Sequence, residues 1–189
     1  MSMQTKPAMI WREDVLPSDV AVVQDMTEAS GFFRPEEVAV AAELVSERLA
    51  KGLASGYLFM FLQEGAQVLG YACYGPIAGT LHSWDLYWIV VQKHLRGQGL
   101  GGELLELVEQ RVWSAGGERL YVETSSQPRY RPTRRFYQSQ GYAPQAVLPD
   151  FYAPGDDKVI YVKRMSRLGV VGGRQENIYT FEDGGGLIE

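Results

Sequence analysis

The chain has 189 residues, 46% hydrophobic and 22% charged, a balance that suits one globular domain and excludes a disordered chain. Eighteen Lys and Arg against 23 Asp and Glu leave a net charge of -5, which excludes a general nucleic-acid binder. The single cysteine, Cys73, excludes an internal disulfide and a Cys-rich zinc site. No apolar run reaches the ~18 residues that would span a bilayer, and the first residues lack the apolar stretch of a secretory signal. A soluble, cytoplasmic domain without nucleic-acid or membrane partners is expected.

Residues 1–9 read as a flexible start, and Ile10 to Arg12 as a short strand. Pro17-Ser18-Asp19 is a turn in which Ser18 or Asp19 caps a helix with Val22, Val23, Met26 and Ala29 on one face. A second helix starts near Pro35 and carries Val38, Ala41, Ala42, Val45 and Leu49 at helical spacing, ending at Gly52. The period then changes. Tyr57 to Leu62, the turn Glu64-Gly65 and Val68 to Tyr74 predict a β-hairpin. After a Gly- and Pro-rich loop, Trp84 to Val91 is a strand apolar enough to be buried on both faces. Gly97 to Gly102 opens a helix bearing Leu100, Leu104, Leu107, Val108 and Val112, stopped by Gly116-Gly117. A strand at Leu120 to Thr124, a helix at Arg131 to Gln140, and strands near Tyr142 to Leu148 and Lys158 to Lys163 complete an α/β order with a mixed sheet. Residues 10–165 form one domain on this reading, and 166–189 a mobile tail rich in Gly and acid.

The segment Arg96-Gly97-Gln98-Gly99-Leu100-Gly101-Gly102 leaves a buried strand and enters an amphipathic helix. Glycines let backbone approach a ligand, and the first helical N–H groups lack internal partners, so the segment suits phosphate oxygens. Lys93 and Arg96 add positive charge. Gly97, Gly99 and Gly102 also spell the dinucleotide string G-x-G-x-x-G, with Glu118 and Glu123 near the distance of a ribose-binding acid. That string belongs after the first strand of its unit, whereas this one lies midway along the chain. A tight turn that needs glycine only for its shape is the third reading.

Arg96-x-x-Gly99-x-Gly101 after an apolar strand resembles the acyl-CoA pyrophosphate loop of the GNAT superfamily of N-acetyltransferases. Phe136-Tyr137, followed by Gly141-Tyr142, resembles that family's second motif, and Asp150 to Lys158 resembles one bacterial branch. The resemblance covers about Ile10 to Lys163. It implies a mixed, mostly antiparallel central sheet with flanking helices, and acetyl-CoA (coenzyme A) as cofactor. It also implies that main-chain groups of Ile89, Val90 and Val91 align the pantetheine and that amides from Gly97 to Gly102 hold the pyrophosphate. Thr124, Ser126 and Thr133 lie near the cofactor path, equally readable as caps and turn formers; Phe136 is core beside it. One or two of Arg129, Arg131, Arg134 and Arg135 would meet the 3′-phosphate and adenine.

For catalysis, Tyr137 matches the family's proton donor to the leaving thiolate. Asp85 stands where some members carry a catalytic glutamate, with a relay water for its shorter reach, and Glu123 is the second candidate base. The acceptor would enter between the N-terminal helices and the last strands, at Phe33, Glu37, Tyr87 and Tyr152, with Phe32, Glu36, Asp156 and Asp157 nearby. Aromatics beside carboxylates suit a small-molecule amine with an apolar stem, such as a polyamine, an amino-acid derivative or an aminoglycoside. An acyl-CoA-binding module without turnover is the alternative, and a homodimer is an assembly left open. His82 and His94 are isolated, with no metal site implied, and Cys73 reads as a small buried hydrophobe.

Overall fold

The computed structural model describes residues 9–165, so the expected loose start at residues 1–8 and the tail beyond lie outside the described residues. Seven strands form one sheet: β1 (Met9–Arg12), β2 (Leu58–Glu64), β3 (Gln67–Pro76), β4 (Ser83–Val91), β5 (Arg119–Ser125), β6 (Ala143–Ala153) and β7 (Asp156–Arg164). Four helices flank it: α1 (Asp19–Ser30), α2 (Pro35–Lys51), α3 (Leu100–Ser114) and α4 (Arg131–Ser139). The strand order is β1-β2-β3-β4-β5-β7-β6, and every neighbouring pair is antiparallel except β4 and β5. That pair is parallel because α3 carries the chain back across the sheet between them, as a parallel connection requires. The expected mixed, mostly antiparallel sheet is therefore present.

Two apolar layers cover opposite faces of the sheet. On one, Leu104, Leu105, Val108 and Val112 of α3 pack on Met60, Ala72, Trp84, Leu86, Leu120 and Val122. On the other, Val23, Ala41 and Val45 of α1 and α2 pack on Phe59, Phe61, Tyr71, Cys73 and Val90. The α1 face differs from expectation. Ala29 is exposed, and Thr27 and Ser30 are buried instead, because the Thr27 hydroxyl meets the Tyr71 hydroxyl at 2.6 Å inside the core. Neither expected cap forms at its N-terminus. Ser18 makes no side-chain cap bond, and the buried Asp19 carboxylate takes both Arg12 guanidinium nitrogens at 2.8 and 2.9 Å and the Leu16 N–H at 2.7 Å.

Two features of β4 open the sheet. Its pairing with β5 runs only from Ser83 opposite Arg119 to Leu86 opposite Val122. Next to that limit, Cys73 faces Trp88 while Tyr74 faces Leu86, so Tyr87 is an extra residue in a β-bulge. A bulge bends its strand and raises the local twist, and β4 and β5 part from there. Burial of β4 on both faces, expected from its apolar run, is therefore not what forms. Trp84, Leu86 and Val90 are buried, while Tyr87, Trp88, Ile89 and Val91 are half-buried along the opening.

The α3–β5 turn depends on close packing. A Cβ at Gly117 would lie 2.6 Å from Trp84 Cδ1 and press on Val112. Gly117→Ala should destabilise the fold by about 1–3 kcal/mol, the usual cost of overpacking, read as a lower midpoint in thermal denaturation. An unchanged midpoint would contradict this packing.

Candidate active site

The parted strands enclose a cavity of about 760 Å³. Tyr87 to Val91 form one wall, and Glu123, Thr124 and Ser125 the other. The β4–α3 loop closes one end. Thr133, Phe136, Tyr137 and Gln140 of α4 lie on one side, and Phe32, Phe33 and Arg34 of the α1–α2 loop cover the other.

The loop is shaped for an anion. Gly97 and Gly99 take the left-handed conformation (φ 78° and 89°), which a side chain would resist. Gly99 precedes α3, and its carbonyl accepts the N–H groups of Gly102 and Glu103. Among the described residues, the N–H groups of Gly97, Gln98, Gly99, Leu100 and Gly101 have no hydrogen-bond acceptor. They sit at the positive end of the α3 dipole, a natural place for phosphate oxygens. A Cβ at Gly101 would stand 3.6 Å from Phe136 and 3.9 Å from Val91, both cavity walls, so glycine keeps that floor open.

Arg96 does not point at this cradle. Its guanidinium bonds the Val91 carbonyl (3.3 Å) and the Ser30 carbonyl (3.4 Å), and lies 5.2 Å over the Phe32 ring. It ties the glycine loop to the α1–α2 loop. From the other side, the Tyr130 hydroxyl donates to the Phe32 carbonyl at 2.7 Å, with the two rings 5.8 Å apart. The covering loop is thus fastened from both edges of the opening.

Three polar side-chain groups of the cavity wall, on Tyr137, Thr124 and Trp88, have no hydrogen-bond partner among the described residues. Tyr137 is buried among Phe136, Tyr142 and Tyr161, and its hydroxyl has no partner among the described residues. Burial pushes its pKa up, so the phenol stays protonated at neutral pH. The Thr124 hydroxyl and Trp88 Nε1 are buried without a partner. The neighbouring Tyr142 differs, since its hydroxyl donates to Glu109 (3.0 Å), which also pairs with Lys163 (2.6 Å).

Carboxylates gather on the face away from α3. Glu123 lines the cavity and pairs with Lys158 at 2.6 Å. Lys158 in turn lies 3.7 Å over the Phe151 ring. Asp85 is held up to about 6, mainly by desolvation and then by Glu123, with Lys158 opposing. Asp156 bonds Ser125 and Gln127 Nε2, the latter at 2.9 Å.

The cavity lining thus brings together Ile89, Val90, Val91, Arg96, Gly97, Gly99, Gly101, Gly102, Thr124, Thr133, Phe136 and Tyr137, with Glu123, Phe33, Glu37, Tyr87 and Tyr152. Four residues read from the sequence as site residues fall outside it. Gln98 bonds the His94 carbonyl (3.2 Å), Leu100 packs with Leu62 and Leu69, and Ser126 accepts the Asp157 N–H (2.9 Å). Asp85 is the fourth, close enough to feel Glu123 but not in the lining. Of the arginine run, Arg129 lines the cavity, while Arg134 is spent on the Ser125 and Gln127 carbonyls. Tyr130, Ser125, Gln127 and Gln140 also line it. Only Tyr130 carried a sequence signal, as the aromatic inside that run. No group of His, Cys, Asp or Glu among the described residues is placed to hold a metal ion, and no helix among them is long and apolar enough to cross a membrane.

The sequence pattern of the acetyltransferase (GNAT) family matches residues 23–142, which span both walls of the cavity and its glycine loop. The chain belongs to that family. A crystal structure from Desulfovibrio desulfuricans, described as an acetyltransferase of the GNAT family, is 48% identical. It covers 83% of this chain and 99% of its own, with a TM-score of 0.82. An uncharacterised N-acetyltransferase of Methanocaldococcus jannaschii is 27% identical over 106 residues, 56% of this chain. The chain spans 65% of that relative's length. An aminoglycoside 6′-N-acetyltransferase complexed with coenzyme A shares the fold at 21% identity, covering 82% of this chain and 96% of its own, with a TM-score of 0.68.

The charge placement in this GNAT acetyltransferase has a consequence for stability. A carboxyl whose folded pKa lies near 6, above its ordinary 3.8, binds its proton more tightly when folded. Its ionised form therefore weakens the fold progressively as pH rises from about 4 through 6. Because Asp85 is only half-buried, the effect after solvent screening is about 1 kcal/mol. Asp85→Asn should raise the melting temperature relative to the parent more at pH 7.5 than at pH 4. An equal difference at both pH values would contradict the assignment.

Proposed function

We propose that the chain transfers an acetyl group from acetyl-CoA to the primary amine of a small molecule, by direct attack in a ternary complex. The observation that carries this reading is the unpaired edge of β4 beyond Leu86, running into a loop of free amides beside the idle Tyr137 hydroxyl. The residues present fit the cofactor. Main-chain groups of Ile89, Val90 and Val91 would hold the pantetheine as an added strand, a form of β-augmentation. The amides of Gly97 to Gly101 would hold the pyrophosphate. The orphaned Thr124 hydroxyl offers a partner to the amide-bearing arm. When bound, acetyl-CoA supplies an acetyl group activated as a thioester.

The chain's own residues supply the rest. An alkyl ammonium of pKa about 10.4 gives up its proton at pH 7 at a cost of about 4.6 kcal/mol. Glu123, or Asp85 through a water, takes that proton as the amine nitrogen forms its bond to the acetyl carbon. Tyr137 holds at Oη the proton that the departing sulfur needs as the carbon–sulfur bond breaks, and burial keeps that proton in place. We read the enzyme as cytoplasmic, supported by its lone, buried cysteine.

Calorimetric titration with acetyl-CoA, with NADH as control, should show micromolar binding of the first and none of the second. No acetyl-CoA binding by a folded sample would contradict the proposal. Tyr137→Phe should lower kcat by about 100-fold, the usual order for a lost general acid, while acetyl-CoA affinity stays within about twofold. Unchanged turnover would remove the acid role. Binding with no transfer to any amine would favour a module that binds without turnover.

A further inference from the structure

The bulge in β4 re-aims an indole. Leu86 packs on the α3 layer, and with ordinary strand alternation Trp88, two positions on, would do the same. The extra residue Tyr87 breaks that alternation. Trp88 instead pairs with Cys73 and, like Cys73 and Tyr87, packs on the α1–α2 layer, with the Phe33 ring 6.5 Å from its own. Its Nε1–H is buried, has no acceptor among the described residues and belongs to the cavity wall. A buried donor left unpaired forfeits the hydrogen bonds that water would give it, so a site that keeps one is fitted to a ligand that completes it.

The three unpartnered groups of the wall divide by face. Thr124 follows Val122 by two positions on β5, and Val122 and Tyr137 both belong to the α3 layer. Those two hydroxyls serve the face to which the acetyl-transfer reading gives the cofactor's arm and sulfur. Trp88 serves the other face. It shares that face with Glu123, which stands between Val122 and Thr124 and so alternates away from α3. That is the side of the proton-accepting carboxylate, where the amine would lie. The layer around the indole is built of apolar side chains from α1, α2, β2 and β3. A full negative charge on the partner of this N–H would be costly there, and a neutral carbonyl or hydroxyl oxygen far less so.

Resting on the acetyl-transfer reading, we propose that the Trp88 indole N–H reads an uncharged oxygen on the acceptor, so that the preferred amines carry a carbonyl or hydroxyl group a few bonds from the nitrogen. A plain alkylamine leaves this N–H unpaired in the ternary complex. A site built to hydrogen-bond a ligand group discriminates against the analogue that lacks it. Trp88 is a specificity residue, distinct from the groups that move protons.

Matched pairs test this by thiol release from acetyl-CoA: glycinamide with methylamine, leucinamide with isoamylamine, and phenylalaninamide with phenethylamine. With rates referred to the unprotonated amine, at least one amide should exceed its partner by about tenfold in kcat/KM, the order expected for one recovered hydrogen bond. Trp88→Phe keeps a ring against Phe33 but has no donor, and should cut that ratio by about fivefold. Equal turnover within every pair, or an unchanged ratio in a folded Trp88→Phe, would overturn the inference while leaving acetyl transfer intact. No transfer to any of these amines by protein that binds acetyl-CoA would overturn both. Leucine outrunning leucinamide would overturn the requirement for an uncharged oxygen. The parent protein gives a second readout that needs no variant to fold. In nitrogen-labelled protein with coenzyme A bound, the preferred amide should move the Trp88 indole N–H signal downfield, and its matched amine should not. A signal moved by coenzyme A alone and untouched by the amide would give this N–H to the cofactor and overturn the inference.

Discussion

The short parallel contact between β4 and β5 is the constraint on which the rest depends. Four residue pairs hold the strands together, and the bulge at Tyr87 then turns β4 away. Had the pairing continued, the backbone of Ile89 to Val91 would be consumed in the sheet, and the apolar side chains beyond Leu86 would close into core. Because it stops, one chain segment serves two purposes. Its β3 side remains an ordinary antiparallel ladder, and its other side becomes the wall of a cavity. The crossover helix that makes the pair parallel also brings its own N-terminus, with free amides, to the end of that wall. Cavity, cradle and strand edge therefore arise from one topological choice.

The tyrosines around α4 show how the fold separates structural from chemical roles. Tyr137 and Tyr142 have rings 5.6 Å apart and share an apolar setting. Tyr142 is committed to the buried Glu109, whose second oxygen takes Lys163, so that network joins α3, β7 and the end of α4. Tyr137 is left with its hydroxyl unspent at the cavity wall. A buried polar group without a partner costs stability. Two such groups, the Thr124 hydroxyl and Trp88 Nε1, line the cavity, and together with the unspent Tyr137 hydroxyl they mark where a ligand would complete the hydrogen bonding.

The sequence was informative where structure is local. The glycine loop, the hairpin of β2 and β3, and the extents of α2 and α3 follow from turn residues and apolar spacing within a few positions. It was misleading where one signal has two physical causes. A strand buried in core and a strand lining an apolar cleft have the same composition, so β4 read as buried on both faces. Length was underestimated for β6, expected near Tyr142 to Leu148, because the chain continues through Pro149 and Asp150 to Ala153. The strand passes through them with Asp150 in a left-handed conformation (φ 53°). Contacts between distant segments were not legible at all. Tyr130 reaches Phe32 from 98 positions away, and Arg96 folds back on Ser30 across 66, away from the phosphate cradle that its spacing implied. Nothing in the local sequence around Ser126 separated it from Ser125, yet only the latter lines the cavity.

Amide hydrogen exchange with and without acetyl-CoA tests the central claim most directly, because it reads the backbone groups themselves. Exchange at Ile89 to Val91 and at Gly97 to Gly101 should slow by at least tenfold on adding the cofactor, while the exposed β6 strand is unaffected. Binding that leaves these amides exchanging freely, or protects them no more than β6, would contradict a cofactor seated on the open edge of β4.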